Sequence, residues 1–508
     1  MLAVLPWDRS VPYKGRMHED TIFAVASGAG RAAIAVMRIS GAASAAVLRA
    51  LGGRLPAPRR ASLRRLRNAD GEELDHAMVV WLPGPGSYTG EDAAELHLHG
   101  GRAVIEGVAD ALVALGARPA EPGEFTRRAF LNGRMDLIEA EAVGDLVEAE
   151  TSAQRAQALR QLDGALGAIF RDWAERLRVL LAQQEALIDF PDEDLPVETE
   201  ALALSELAAL TREVGAHLDD GRRGERLREG LVFAVTGAPN VGKSSLVNAL
   251  AERDVAIVAP TPGTTRDALE TRVVLGGVPV TLVDTAGLRE TQDAVEAEGV
   301  RRARARAEAS DLVIEVRVEG EQGLQASPLS AGELAREGDR LWGERSRRHR
   351  ALVPRGPSPR GRSQRDPSPR DPSPQPPPTG GGGVGGEISL CAGTLLIANK
   401  IDLGGAVPSD ALGISVRTGE GMDVLRVRLA AVARGLTAAA GPPPLTRARH
   451  RAALQEAAAC LARGADAELA ELRAEDLRLA LRALGRITGQ VGVEDLLDTI
   501  FRHFCIGK

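Results

Sequence analysis

The feature that most constrains this chain is the octapeptide GAPNVGKS at residues 237–244. It fits the pattern G-x-x-x-x-G-K-[ST], follows the apolar stretch LVFAVT and precedes the helical stretch SLVNALAE. A strand, a glycine-rich loop and a helix in this order place backbone N–H groups around phosphate oxygens. Lys243 supplies positive charge, and Ser244 offers a hydroxyl ligand for Mg²⁺. The sequence therefore predicts a doubly wound α/β domain that binds a nucleoside triphosphate.

Three more motifs follow in the order that a GTP-binding domain requires. Thr265 in TTRD would complete the Mg²⁺ shell, and Asp284 in DTAG would reach Mg²⁺ through water. Asp402 in NKID offers a carboxylate to guanine N1–H and the 2-amino group, a donor pair that adenine lacks. The segment 415–417 would close the base pocket. The predicted GTP-binding residues are Asn240, Val241, Gly242, Lys243, Ser244, Ser245, Ala259, Pro260, Thr261, Pro262, Gly263, Thr264, Thr265, Asp284, Thr285, Ala286, Gly287, Asn399, Lys400, Asp402, Ser415, Val416 and Arg417.

The group that orients the attacking water is not the usual one. Leu288 follows DTAG where Ras-like switches carry Gln, so another side chain must act on the water. The acidic candidates in the next segment are Glu290, Asp293, Glu296 and Glu298. Asn240 offers an amide oxygen that could hold a monovalent cation where an arginine finger would place its charge. Taken alone, an Asn at this position is more often an ordinary turn residue, and the sequence leaves both interpretations open.

Composition divides the rest of the chain. Residues 20–134 mix β-like runs with turn signals and predict an α+β domain. Residues 135–228 and 441–508 have helical periodicity, and the α/β segment 229–440, with six predicted strands, lies between them. The simplest interpretation is a helical domain interrupted by an inserted GTPase domain. Residues 1–19 are predicted to be a disordered extension, with Met17 as an alternative start.

The segment 320–390 interrupts the insert. Ten prolines lie between Pro354 and Pro378, and GGGGVGG follows. Such a composition buries too little apolar surface to offset its ordering entropy, so we predict a disordered loop. Its nine arginines between 345 and 370 suggest an RNA-binding element, but we favour a solvated spacer or an aberrant stretch of translated sequence.

Composition also excludes several classes. The formal net charge of −7 excludes nucleic-acid binding through bulk positive charge, although not through a local basic site. Aromatic residues are 3%, which disfavours a base-stacking platform. The three cysteines form no CxxC pair, so we expect reduced thiols in a cytoplasmic protein. We expect no membrane span and no secretion signal.

Several longer stretches resemble one family, the tRNA-modifying GTPases known as MnmE or TrmE. The resemblance covers about residues 20–508 apart from the proline-rich loop. Its motifs are DTIFAVASGAGRAAIAVMRISG, SYTGEDAAELHLHGG, PGEFTRRAFLNGRMDLIEAEAVGDLVEA, IDFPDED, GAPNVGKSSLVNAL, PGTTRD, DTAGLRE and FCIGK. The resemblance implies a K⁺-dependent GTPase that forms a homodimer through its N-terminal domain. It implies a flavoprotein partner, MnmG or GidA, in a heterotetramer that modifies carbon 5 of the tRNA wobble uridine.

The resemblance also implies residue roles. Glu296 would be the catalytic acid that orients water, and Ser244 and Thr265 would ligate Mg²⁺. The K⁺ ligands would be Asn240, Ala259, Thr261 and Thr264. A tetrahydrofolate derivative would supply the one-carbon unit; its binding residues would be Arg38, Glu95, Arg134 and Lys508, with Cys505 facing the same site as a possible modification site. A carboxylate suits the amide-and-amine edge of a pterin, and arginines suit the carboxylates of the glutamate tail.

Arg134 and Val416 depart from the family pattern, which usually has Lys and Ala at these positions. Two rival functions remain. A ribosome-assembly GTPase shares the nucleotide motifs, but the C-terminal block lacks a basic GxxG module. A scaffold could use its GTPase only as a dimerisation switch. Mass spectrometry of tRNA nucleosides from a deletion strain would distinguish tRNA modification from these two rival functions.

Overall fold

A computed structural model describes residues 20–28, 30–189, 197–253, 270–285, 309–318, 393–438, 441–491, 494–502 and 504–507. The chain divides into two compact units. The first combines Met1–Arg228 with Ala438–Lys508, and the second is Glu229–Thr437. The predicted extension 1–19 and loop 320–390 lie outside the described residues.

The first unit begins with a six-stranded sheet of order β3-β4-β5-β2-β1-β6. Only the pair β1–β6 is parallel. The strands are β1 Ile22–Val25, β2 Ala32–Ser40, β3 Ala61–Arg67, β4 Glu73–Leu82, β5 Ala93–Gly100 and β6 Arg118–Pro119.

One face of this sheet is covered by helices α1 (Ser44–Gly52) and α2 (Arg102–Ala114). Strand β2 alternates as its sequence requires, with Met37 and Ile39 buried and Arg38 turned to the other face. The core under the helices is built from such inward residues, among them Val79, Leu96 and Leu112. The opposite face carries the polar side chains that form one of the candidate sites.

The remaining helices of the first unit include those that form its second core. They are α3 Glu124–Leu131, α4 Leu137–Glu148, α5 Ser152–Leu162, α6 Ala165–Asp189, α7 Val197–Leu218 and α8 Arg223–Glu229, the last of which ends at the unit boundary. Three more helices of this unit lie after the insert. Because the insert contains α9 and α10, they are numbered α11 Ala448–Asp466, α12 Ala470–Thr488 and α13 Glu494–Phe501. Phe170, Trp173, Leu454 and Leu484 pack together in this core.

The periodic stretch from 135 to 189 forms three helices. Asp136 and Thr151 begin α4 and α5, each with a capping box in which the N3 side chain bonds back to the cap. Between α5 and α6 the chain passes through Gly164 in a left-handed conformation. Helical periodicity continues across such breaks, so hydrophobic spacing alone does not reveal them.

The second unit is a doubly wound sheet of order β12-β11-β10-β7-β9-β8. All its pairs are parallel except β8–β9. Its elements are β7 Leu231–Thr236, α9 Lys243–Arg253, β8 Glu270–Leu275, β9 Val278–Asp284, β10 Leu312–Arg317, β11 Thr394–Ala398, β12 Leu412–Gly413 and α10 Met422–Thr437. The multidomain fold class predicted from the sequence is confirmed. No described helix is both long and apolar enough to cross a membrane.

Candidate functional sites

The loop between β7 and α9 is built around two glycines. Gly237 has a φ of +142°, and a Cβ there would lie 2.2 Å from the carbonyl oxygen of Val316. Gly242 has a φ of +98°, and its Cβ would lie 2.4 Å from Nδ2 of Asn399. A side chain at either position would collide with the neighbouring strand ends, so the loop can adopt this conformation only with glycine at both positions.

Lys243 and Ser244 lie at the start of α9, where the predicted phosphate site requires them. The ammonium of Lys243 donates to the carbonyl oxygens of Gly237 and Ala238, each at 2.8 Å. Ser244 Oγ donates to Oδ2 of Asp284 at 2.5 Å. A hydroxyl and a carboxylate this close form a hard oxygen pair that suits Mg²⁺. Among the described residues, no group of three or more His, Cys, Asp or Glu side chains is placed to hold a metal ion.

Asn399 connects the phosphate loop to the segment 415–417. Its side-chain amide donates to the carbonyl oxygen of Val241 at 2.7 Å, and its Oδ1 accepts from Val416 N at 3.3 Å. Lys400 Nζ donates to the carbonyl oxygen of Asn240 at 2.9 Å. The last motif therefore supports the first one physically, although 158 residues separate Asn399 from Val241.

Both oxygens of Asp402 are engaged. Oδ1 accepts from Ser415 Oγ at 2.6 Å, and Oδ2 accepts from Arg417 Nε at 2.9 Å. These hydrogen bonds, Ser415 first and then Arg417, hold the pKa of Asp402 below its ordinary value. The carboxylate is therefore ionised near neutral pH, as an acceptor for two guanine N–H groups must be.

The structure brings together Asn240, Lys243, Ser244, Asp284 and the two later motifs at the carboxyl ends of parallel strands. Thr285 lies beside them and donates to Val235 O, and Ser245 is exposed on the first turn of α9. The other predicted nucleotide and cation residues lie outside the described residues: Ala259, Pro260, Thr261, Pro262, Gly263, Thr264, Thr265, Ala286, Gly287 and Glu296, with Leu288, Glu290, Asp293 and Glu298.

A second polar site lies on the open face of the first sheet. Arg38 on β2 and Glu95 on β5 are direct cross-strand partners, and Nη2 of Arg38 lies 3.1 Å from Oε1 of Glu95. The guanidinium also lies 5.4 Å from the ring centroid of Tyr88 and 5.7 Å from that of Phe125. Both side chains of the ion pair are about a quarter exposed or less, so the pair is partly desolvated and accessible.

Sequence reasoning missed three residues of this site. Tyr88 and Phe125 flank the Arg38 guanidinium, and burial raises the pKa of the Tyr88 hydroxyl. His97, two residues beyond Glu95 on β5, has its Nε2 3.7 Å from Glu95 Oε2. Tyr88 and His97 stand in the resembling stretch SYTGEDAAELHLHGG, so alternation along the strand could have indicated that His97 shares a face with Glu95.

Arg134 and the chain end lie around the same region of the first unit. Asn132 and Arg134 lie against Gly90, two residues after Tyr88 in the loop between β4 and β5. Gly507 lies against the backbone of Val25 and Ala26, where β1 ends. Cys505 is exposed, whereas Lys508 lies outside the described residues. In the described part of the chain, Arg134 forms no hydrogen bond or ion pair with Arg38 or Glu95.

Comparison with known proteins gives a consistent result. The family model described as the MnmE helical domain matches residues 137–505, and the model of the GTP-binding protein TrmE N-terminus matches residues 21–134. A tRNA modification GTPase MnmE of Gluconacetobacter diazotrophicus is 57% identical over 96% of this chain and 98% of its own. The MnmE of Granulibacter bethesdensis is 52% identical over 97% of this chain and 100% of its own.

A similar protein in Parvibaculum lavamentivorans, also named tRNA modification GTPase MnmE, is 49% identical over 96% of this chain and 100% of its own. Among solved structures, the G domain of the T. maritima FeoB iron transporter matches 40% of this chain and 98% of its own at 19% identity, with a TM-score of 0.20. The two family models together span both ends of the chain, and the relatives align over nearly its whole length. The chain belongs to the MnmE family of tRNA modification GTPases.

Proposed function

We propose that this chain hydrolyses GTP and takes part in modifying carbon 5 of the tRNA wobble uridine, using a one-carbon unit from a tetrahydrofolate derivative. The observation that carries the proposal is that one chain holds two sites of different chemistry. A phosphate loop with an ionised Asp402 lies in the inserted unit, and the Arg38–Glu95 pair lies in the first unit. The names of the relatives supply the substrate, tRNA.

GTP binding requires the ammonium of Lys243 to change partners. Lys243 moves its ammonium from the carbonyl oxygens of Gly237 and Ala238 to the phosphates, while backbone N–H groups of the loop surround the phosphate oxygens. Each oxygen of Asp402 accepts one hydrogen bond, from Ser415 or from Arg417, and keeps a second acceptor position for guanine N1–H or the 2-amino group. Asn399 keeps the base segment attached to the phosphate loop during this exchange.

Ser244, Asp284 and Thr265 hold Mg²⁺, with Asp284 acting through water. Mg²⁺ neutralises charge that develops on the phosphates. Glu296 orients the attacking water, since Leu288 cannot do so. Asn240, Ala259, Thr261 and Thr264 hold K⁺. Of the K⁺ ligands only Asn240 belongs to the described residues; its φ of +63° is the left-handed conformation that Asn adopts more readily than most residues.

The Arg38–Glu95 pair binds the folate derivative. Glu95 accepts from the amide N–H and amine of the pterin, and the partly buried ring of Tyr88 offers apolar surface beside it. Arg38 pairs with Glu95 and keeps that carboxylate charged and oriented, while Arg134 and Lys508 neutralise the carboxylates of the glutamate tail. The position of Gly507 at the end of β1 supports a role for the FCIGK segment at this site, where Cys505 is the exposed thiol.

The open sheet face supports a homodimer formed through the N-terminal domain. Leu63 of β3 pairs with Met78 of β4, which pairs with His97 of β5, so these side chains form a row on one face. Leu63 and Met78 are exposed, as is Ile34 of β2. The flavoprotein MnmG or GidA completes the proposed heterotetramer, and the place of action is the cytoplasm.

Nucleoside mass spectrometry of tRNA from a deletion strain tests the proposal. We expect the modified wobble uridine to disappear and to return when the full chain is restored. Unchanged tRNA together with defective ribosomal subunits would favour a ribosome-assembly GTPase instead. Unchanged tRNA with normal ribosomes would favour a dimerisation scaffold. Either outcome contradicts the proposed function.

A further inference from the structure

Arginines are concentrated in one segment of this acidic protein. From Thr21 to Ala69 the chain contains nine arginines and no Asp, Glu or Lys, although the whole chain carries a net charge of −7. Arg31 and Arg38 belong to β2 or the chain leading into it. Arg65 and Arg67 lie near Glu73, which reaches Arg67 at 3.7 Å. We call the remaining five, Arg49, Arg54, Arg59, Arg60 and Arg64, the arginine strip.

The fold brings the strip together at one edge of the first sheet. Arg49 lies in the last turn of α1, and Arg54 follows that helix. Arg64 lies on the edge strand β3, and its side chain lies close to Gly52 at the end of α1. A Cβ added to Gly52 would lie 3.6 Å from both Cβ and Cγ of Arg64. Arg59 and Arg60 form the turn that leads into β3. The strip therefore spans a helix end, a turn and an edge strand that meet.

The strip carries positive charge without internal neutralisation. Arg49, Arg54 and Arg60 are exposed and have no ion-pair partner in the described part of the chain. Nε of Arg64 is buried and has no hydrogen-bond partner among the described residues. A helix C-terminus favours one or two cations, and edge strands use charge to avoid pairing with other chains. Neither role requires five arginines without one carboxylate among them.

The strip is attached to the loop that borders the proposed folate site. Nη2 of Arg59 donates to the carbonyl oxygen of Gly86 at 2.5 Å, and the backbone N–H of Arg59 donates to the carbonyl oxygen of Trp81 at 2.8 Å. Tyr88, two residues beyond Gly86, covers the guanidinium of Arg38. Arg59 holds a φ of +60°, an uncommon conformation for a non-glycine residue, and these two bonds fix it there.

We propose that the arginine strip binds the phosphate backbone of tRNA. Guanidinium groups suit phosphate oxygens, and such contacts position a nucleic acid without reading its sequence. The inference rests on the proposed function: a uridine that receives a carbon from the folate site must come close to that site, and the strip lies beside it. An RNA strand held on the strip would deliver its nearby bases toward the Tyr88 loop.

Fluorescence anisotropy with a labelled, unmodified tRNA transcript tests the strip on the full-length protein. The test variant is Arg54→Glu with Arg60→Glu. The matched control, Arg160→Glu with Arg482→Glu, makes the same charge change at two exposed arginines of α5 and α12. A second variant, Arg54→Lys with Arg60→Lys, keeps the charge. The thermal midpoint and the light-scattering mass of each variant report folding and oligomeric state.

We expect the charge-reversed strip variant to bind tRNA about tenfold more weakly near 0.15 M KCl. The slope of log K for tRNA binding against log salt concentration should become smaller in magnitude by about 1.5. The lysine variant should stay within about threefold of wild type, since phosphate contacts depend mainly on charge. Normal tRNA binding by the charge-reversed strip variant, or equal weakening in the matched control, would overturn the proposed role of the arginine strip. Either result would leave the proposed function of the protein standing. Absence of tRNA binding by the wild-type protein would contradict the strip and the proposed function together.

Discussion

His450 donates its Nε2–H to the carboxylate of Glu141 at 3.0 Å in the centre of the helical core. Glu141 is 2% exposed and His450 is fully buried. Arg449 adds two hydrogen bonds to the same carboxylate, at 2.6 and 2.7 Å. The pair joins α4, before the inserted unit, to α11, after it, so it fastens the two halves of the discontinuous helical domain to each other.

Stability of the helical domain should fall as the pH is lowered. Burial lowers the pKa of His450, with Arg449 acting in the same direction. Burial alone would raise the pKa of Glu141, but Arg449 and His450 outweigh it and hold that pKa well below its usual range. Both groups therefore stabilise the fold above their unfolded pKa values, near 6.5 and 4.5, and lose that contribution as the pH falls below them.

The measurement is urea unfolding followed by tryptophan fluorescence, to which Trp173, buried in the same core, contributes. Between pH 6.5 and 5.5 His450 should cost up to about 1.4 kcal/mol of unfolding free energy per pH unit. His450→Gln keeps a donor for Glu141 and removes the titration, so its slope should be shallower. His217 also has a pKa lowered by burial and leaves a residual slope in both proteins. Identical slopes would show that His450 is charged in the folded state.

Asp402→Asn should change which base the protein accepts. The amide loses one acceptor for guanine and gains a donor, which suits the extra carbonyl of xanthine. We expect GTP affinity to fall about 100-fold or more, while xanthosine triphosphate binds better than it does to wild type. Asp410→Asn, an exposed aspartate in the same unit, is the matched control. Unaltered GTP affinity in Asp402→Asn would remove Asp402 from the base pocket.

Glu95→Gln should weaken binding of a stable N5-formyl tetrahydrofolate. The amide is isosteric but loses the charge that pairs with Arg38 and accepts from the pterin. Calorimetry on the full chain should report a loss of about tenfold or more, corresponding to one charge-assisted hydrogen bond. Glu106→Gln, on the exposed side of α2, should bind like wild type. Equal affinity for Glu95→Gln would place the folate elsewhere.

Potassium should stimulate GTP hydrolysis much more than sodium does. Leu288 removes the usual water-orienting glutamine, and Asn240 offers an oxygen ligand for a cation beside the phosphates. Turnover is measured in KCl and in NaCl at equal ionic strength with saturating Mg²⁺. Equal rates in the two salts would contradict the K⁺ assignment and would favour the simpler interpretation of Asn240 as a turn residue.

The sequence predicted the fold class because its strongest signals are local. The strand–loop–helix around GAPNVGKS, the alternation in β2 and the helical periodicity after residue 135 each occupy a short window. Strand β3 was not predicted because ASLRRLR has one fully buried residue, Leu66, and reads as a polar segment. An edge strand buries few side chains, so its pattern is weak.

Contacts between distant segments were beyond the sequence. The bond from Asn399 to Val241 and the rings of Tyr88 and Phe125 around Arg38 depend on tertiary packing, which leaves no periodic signal. Arg38 and Glu95 were assigned to one site by resemblance, and their cross-strand pairing gives that assignment a physical basis without testing it. Glu296, Lys508 and the switch residues 259–265 stay predictions.

The most direct test of GTP-dependent tRNA modification is the mass of the wobble nucleoside in a deletion strain that carries either the wild-type chain or Lys243→Ala. Lys243 bridges the carbonyl oxygens of the phosphate loop and is the only cation in the GAPNVGKS motif, so its loss should abolish GTP turnover. Wild type should restore the modified uridine, whereas Lys243→Ala at equal protein level should leave the uridine unmodified. Full modification with Lys243→Ala would contradict a coupling between the phosphate site and the tRNA chemistry.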